Sequence, residues 1–96
     1  MPASLPVRIK IADNLLAADL AAGDAVLLDI HGGTYFSLTP VAARLWQDWT
    51  LNGSVANSID RLVENYKVDR PTAEADVAEL IAELSRRKLI TVVDSE

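Results

Sequence analysis

Two consecutive glycines, Gly32 and Gly33, separate two β-rich runs, residues 25–30 and 34–38. Glycine takes positive φ at little steric cost, so this spacing predicts a tight antiparallel hairpin. Thr39 and Pro40 follow the second run directly. Threonine is a good helix N-cap, and proline is pre-organised for the first helical position. The chain is therefore committed to a strand, a turn, a second strand and a helix in quick succession.

The rest of the sequence builds on that hairpin. Val7, Ile9 and Ile11 alternate with Arg8 and Lys10, which predicts a half-buried strand. Residues 13–23 carry Leu15, Leu16 and Leu20 at near-helical spacing, but the segment is short and Gly23 closes it. It reads as a loop holding one helical turn at most. Three amphipathic runs come after the hairpin. Ala42, Leu45, Trp46 and Trp49 mark a helix to about Leu51, stopped by Asn52 and Gly53. Ser54 caps a second helix with Val55, Ile59, Leu62, Val63 and Tyr66 on its apolar face, ending near Lys67. Asp69 or Thr72 caps a third, whose stripe is Ala73, Val77, Leu80, Ile81 and Leu84. Glu74, Asp76 and Glu79 sit early in it and Arg86, Arg87 and Lys88 late, which complements the helix dipole. Thr91, Val92 and Val93 suit a short last strand. The expected fold class is α+β: a winged helix-turn-helix-like domain with a three-stranded antiparallel sheet followed by three helices. Residues 1–96 are read as one domain, because a chain of 96 residues supports a single core.

Composition removes several function classes. Net charge is −5, from 14 acidic and 9 basic side chains, with no basic block. Nonspecific nucleic-acid binding draws most of its affinity from phosphate neutralisation, so no nucleic-acid partner is expected. The absence of cysteine rules out disulfides, thiolate metal sites and thiol catalysis. No apolar run approaches the length of a membrane span, and the first residues lack the charged-then-apolar order of a secretory signal. A cytoplasmic location with no membrane partner is the expectation. His31 is the only histidine and sits in the predicted turn, where it reads as a solvated loop residue. The carboxylates Glu74, Asp76, Glu79 and Glu83 read as a solvated helix face. Ser37 and Ser54 have no base to activate them. No catalytic residue, metal site or cofactor is expected, and the chain is read as a non-enzyme.

The most informative segment is Thr34, Tyr35, Phe36, Ser37 and Leu38. Natural edge strands are commonly defended by lysine, proline or a bulge. This run has neither lysine nor proline. Its outer edge is either covered by the chain or open to an incoming strand. Alternation assigns Phe36 and Leu38 to the core and leaves Tyr35 facing outward. On the third helix, Asp76, Leu80, Glu83 and Arg87 form a mixed polar and apolar row beside the core stripe.

The ordered run Val26-Leu27-Leu28-Asp29-Ile30, then Gly32-Gly33-Thr34-Tyr35-Phe36, then Leu38-Thr39-Pro40 resembles the opening of PqqD-like domains, also called RiPP recognition elements. Ala43-Arg44-Leu45-Trp46, Gly53-Ser54-Val55, Tyr66-Lys67-Val68-Asp69, Ala75-Asp76-Val77 and Leu89-Ile90 continue the pattern. Within the family the chain is most similar to small stand-alone recognition proteins of lasso-peptide pathways. The departure is Thr39-Pro40, where many relatives have Asn and a small residue. The resemblance implies a non-catalytic adaptor that binds the leader segment of a ribosomally made precursor peptide. The leader adds as a strand to residues 34–38, in a groove with the third helix. The implied peptide-binding residues are Thr34, Tyr35, Phe36, Ser37, Leu38, Asp76, Val77, Leu80, Glu83 and Arg87. It also implies delivery to maturation enzymes: a leader peptidase and cyclase in lasso pathways, a radical SAM enzyme in pyrroloquinoline quinone synthesis. Two other readings stay open at this point. One is a winged-helix DNA-binding module, against which the acidic start of the third helix stands. The other is a structural subunit that pairs with its own copy through the edge strand.

Overall fold

The computed structural model describes residues 5–93. In chain order these form β1 (Arg8–Ile11), β2 (Leu15–Asp19), β3 (Ala25–Asp29), β4 (Tyr35–Leu38), α1 (Pro40–Leu51), α2 (Val55–Tyr66), α3 (Arg70–Arg86) and β5 (Ile90–Val93). The strands make two sheets, a three-stranded one in the order β2-β3-β4 and a two-stranded ribbon of β1 and β5. All pairings are antiparallel. The expected three-stranded sheet followed by three helices is present, with a different first strand.

That difference has two parts. The segment expected to be a loop contains β2, which pairs with β3 from Leu15 opposite Asp29 to Asp19 opposite Ala25. A 3-10 turn at Ala21–Gly23 links the two strands. Leu-Leu-Ala-Ala-Asp has little β propensity of its own, so pairing with an adjacent strand supplies what the local sequence lacks. The alternating run at Arg8–Ile11, expected in that sheet, joins the C-terminal strand instead, with Ile9 opposite Val92 and Ile11 opposite Ile90. Those four side chains share the apolar face of the ribbon. Ile9 N–H donates to Gly53 O at 2.8 Å, and Val55 N–H donates to Val7 O at 3.2 Å. A Cβ on Gly53 would lie 2.7 Å from the Ile9 carbonyl oxygen, so the ribbon crosses the α1–α2 corner where only glycine fits.

The helices begin as their sequences dictate. The Thr39 hydroxyl accepts from Ala42 N–H at 3.3 Å, and the Ser54 hydroxyl accepts from Asn57 N–H at 3.2 Å. Asp69, rather than Thr72, occupies the N-cap of α3. One core joins the elements, with Leu27 and Leu38 from the sheet, Leu45, Trp46 and Trp49 from α1, Ile59 and Leu62 from α2, and Val77, Ile81 and Leu84 from α3. Trp49 Nε1 donates to Ser58 Oγ at 3.0 Å, and that hydroxyl donates to Val55 O at 2.7 Å. The one polar atom of the indole is thereby satisfied inside the core. Among the described residues no helix is long and apolar enough to cross a membrane. The reading of the N-terminus as lacking a signal rests mainly on residues 1–4, which lie outside the described residues.

Candidate functional site

β4 lies at the edge of its sheet, and among the described residues no strand pairs with its outer side. The register decides which backbone groups face outward. Asp29 N–H donates to Thr34 O at 2.8 Å, making that facing pair a hydrogen-bonded one. Bonded and non-bonded pairs alternate along an antiparallel ladder, so Phe36 and Leu38 bond inward to Leu27 and Ala25. The N–H and C=O of Tyr35 and of Ser37 then point to the open edge. Thr34 itself lies just outside the strand.

The turn that holds β4 is built around one carboxylate. Asp29 Oδ1 accepts from Asn14 Nδ2 at 2.7 Å, from His31 N–H at 3.0 Å and from Gly32 N–H at 3.1 Å. The Gly32 amide, then the Asn14 amide, hold this carboxyl below its ordinary value. The two glycines do different jobs. Gly33 alone has positive φ, at 71°. A Cβ on Gly32 would lie 2.9 Å from Asp29 Oδ2, so Gly32 lets the backbone approach the carboxylate.

α3 supplies the facing wall. A cleft of about 360 Å³ is lined by Thr39, Val41, Ala42 and Leu45 on one side and Asp76, Glu79, Leu80 and Glu83 on the other. Its floor is apolar and its α3 rim carries carboxylates. Further along, the Arg87 guanidinium lies 4.9 Å from the centroid of the Phe36 ring and ties α3 to β4. Glu83 is ion-paired with Arg86 and, at 3.3 Å, with Arg87 Nε. The Arg86 hydrogen bond is the main cause holding the Glu83 carboxyl below its ordinary value.

The residues singled out in the sequence fall into three groups. Tyr35 (71% exposed) and Ser37 face outward at the edge, while Leu38 is buried and Phe36 half-buried. Asp76, Leu80 and Glu83 line the cleft together, and Arg87 stands at its far end over Phe36. Val77 is different: its side chain is fully buried in the core, so it supports the wall from behind and presents nothing to the cleft. The cleft also contains residues not singled out for binding, namely Thr39, Val41, Ala42, Leu45 and Glu79. The spacing of Val41 and Leu45, one helical turn apart, was the available signal. A period in one helix does not say which other helix shares the cleft.

The family model for coenzyme PQQ synthesis protein D (PqqD) matches residues 24–90. Two solved structures share the fold. One, described as TbiB1 in complex with the TbiA(beta) leader peptide, is 32% identical with a TM-score of 0.79, and the match covers 84% of this chain and 93% of that one. The other, a lasso peptide synthetase B1 complexed with the leader peptide, is 28% identical with a TM-score of 0.79, covering 88% and 98% respectively. No curated protein is significantly similar to the chain.

Proposed function

Because this chain belongs to the PqqD family, whose model spans residues 24–90, we propose that it binds the leader segment of a ribosomally made precursor peptide. The leader adds as a strand to the outer edge of β4 and seats side chains in the cleft against α3. The protein is a non-catalytic adaptor in this reading, and it hands the bound precursor to maturation enzymes such as a leader peptidase or cyclase. The observation that carries the reading is the coincidence of an open strand edge with a mixed apolar and acidic cleft that begins at Thr39, one residue past that strand. Strand addition supplies affinity through main-chain bonds, and pockets for alternate side chains supply specificity. The outward groups of Tyr35 and Ser37 offer only a few bonds, each netting about 0.5–1.5 kcal/mol. Micromolar binding requires about −8 kcal/mol, so the cleft must provide the remainder. The two similar structures support the reading, since both are leader-peptide complexes.

The test is amide exchange on the full chain with and without the TbiA(beta) leader peptide. New protection is expected at Tyr35 and Ser37. Protection confined to α2, or none at saturating peptide, would overturn strand addition at β4.

A further inference from the structure

The cleft beside β4 is charged differently at its two ends, and that asymmetry bears on which leader it takes and in which direction. We propose that the groove selects an extended segment in which an apolar anchor is preceded, on its N-terminal side, by Lys or Arg. This rests on the leader-binding reading above and names the substrate chemistry of the same groove.

β4 and α3 run in opposite directions along the cleft. Thr39, just past the end of β4, shares the cleft with Asp76, Glu79 and Leu80, whereas Phe36 lies under Arg87. The acidic end is therefore the Leu38 end of the strand. Asp76 and Glu79 are exposed and belong to no ion pair among the described residues. Glu83 is neutralised by Arg86 and Arg87, which leaves the Phe36 end without net negative charge. No Lys or Arg lines the cleft, and the sequence has none between Lys10 and Arg44, so the sheet brings no cation to it. The floor of Val41, Ala42, Leu45 and Leu80 takes an apolar side chain. Lys and Arg lay their methylene stems along such surface while the charged head reaches outward, here to Asp76 and Glu79.

Direction follows from the sheet. Both of its pairings are antiparallel, and antiparallel addition to β4 is the slightly more stable mode. A peptide antiparallel to β4 enters at the Leu38 end with its N-terminal part. The flank before the anchor thus meets the carboxylates, and the flank after it meets Arg87.

The probe is a random peptide display library panned on the full chain at low salt. Only clones that lose binding to Leu80→Asp are kept, or to Leu80→Ser if the aspartate variant melts early. Lys or Arg is expected to be enriched before the shared apolar position. Changing that residue to Glu in a synthetic clone should weaken binding roughly three- to tenfold, the range for one or two exposed ion pairs. The difference should shrink at about 0.5 M salt, and the double variant Asp76→Lys, Glu79→Lys should reverse it. Leu80-dependent clones with no basic preference, or with one only after the anchor, would overturn the proposal and leave leader binding standing. An absence of Leu80-dependent clones would overturn leader binding in this groove, and the proposal with it.

Discussion

Among the described residues the three-stranded sheet has two open edges, and they are not equivalent. The β4 edge runs toward the cleft between α1 and α3, which begins at Thr39 and where an apolar floor meets Asp76, Glu79 and Glu83. The β2 edge faces a larger cleft, about 520 Å³, against α1, lined mainly by Leu15, Ala17, Trp46, Thr50 and Leu51 with Asp19 at its margin. Size and apolarity favour the second. Recognition needs more than area, because a few placed polar groups fix orientation and reject wrong partners. Only the β4 cleft combines an apolar floor with a charged rim and a side chain, Arg87, that bridges helix and strand. The β2 cleft is backed by the core residue Trp46, only 6% exposed, with the exposed Thr50 and Leu51 at its rim.

Trp46→Ala gives the largest expected effect and tests that distinction. Truncating a buried aromatic costs about 3–5 kcal/mol. In a domain this small that lowers the melting temperature by more than about 10 °C. A loss of only a few degrees would show that Trp46 is a surface wall, and the two clefts would be alike. Next in size, Leu80→Asp should weaken leader binding at least tenfold, about 1.4 kcal/mol, because the anchor loses its apolar floor. Glu64→Lys on the exposed face of α2 should leave binding unchanged in the same titration. If both variants bind alike, the β4 cleft has no special standing.

The smallest effect concerns the turn that holds β4. Asp29 is stabilised as the anion by the Gly32 and Asn14 amides, so its folded-state pKa lies below the ordinary 3.8. A depressed carboxylate stabilises the fold above the unfolded pKa and loses that contribution as pH falls through the folded value. Asp29→Asn should therefore be slightly less stable than the parent near neutral pH, and the gap should close below pH 3.8. Urea titrations at a series of pH values measure this. A gap independent of pH would show that shape, and not charge, holds the turn.

Much of this molecule was legible residue by residue. Thr39 and Ser54 cap their helices as their types demand, and Asn52-Gly53 stops α1. Most of the undefended run, Tyr35–Leu38, is an edge strand, and Asp76, Leu80 and Glu83 of the mixed row on α3 face a cleft. Val77 shows the limit of a helical wheel: its neighbours Asp76 and Leu80 reach the cleft while Val77 is sealed against the core. β2 shows the limit of propensity, since Leu15–Asp19 is a strand only because β3 lies beside it.

The sequence by itself determined the local choices: where the hairpin turns, where the first two helices start and stop, and that no lysine or proline guards β4. These depend on dihedral preference, capping and hydrophobic period, which act within a few residues. Only the tertiary structure decided that Arg8–Ile11 pairs with Ile90–Val93 across nearly the whole chain, and that Val41 and Leu45 complete a cleft begun by Leu80. Such contacts join segments whose separation in sequence leaves no periodic trace, and they are chosen by which burial of all the apolar faces together leaves the fewest exposed.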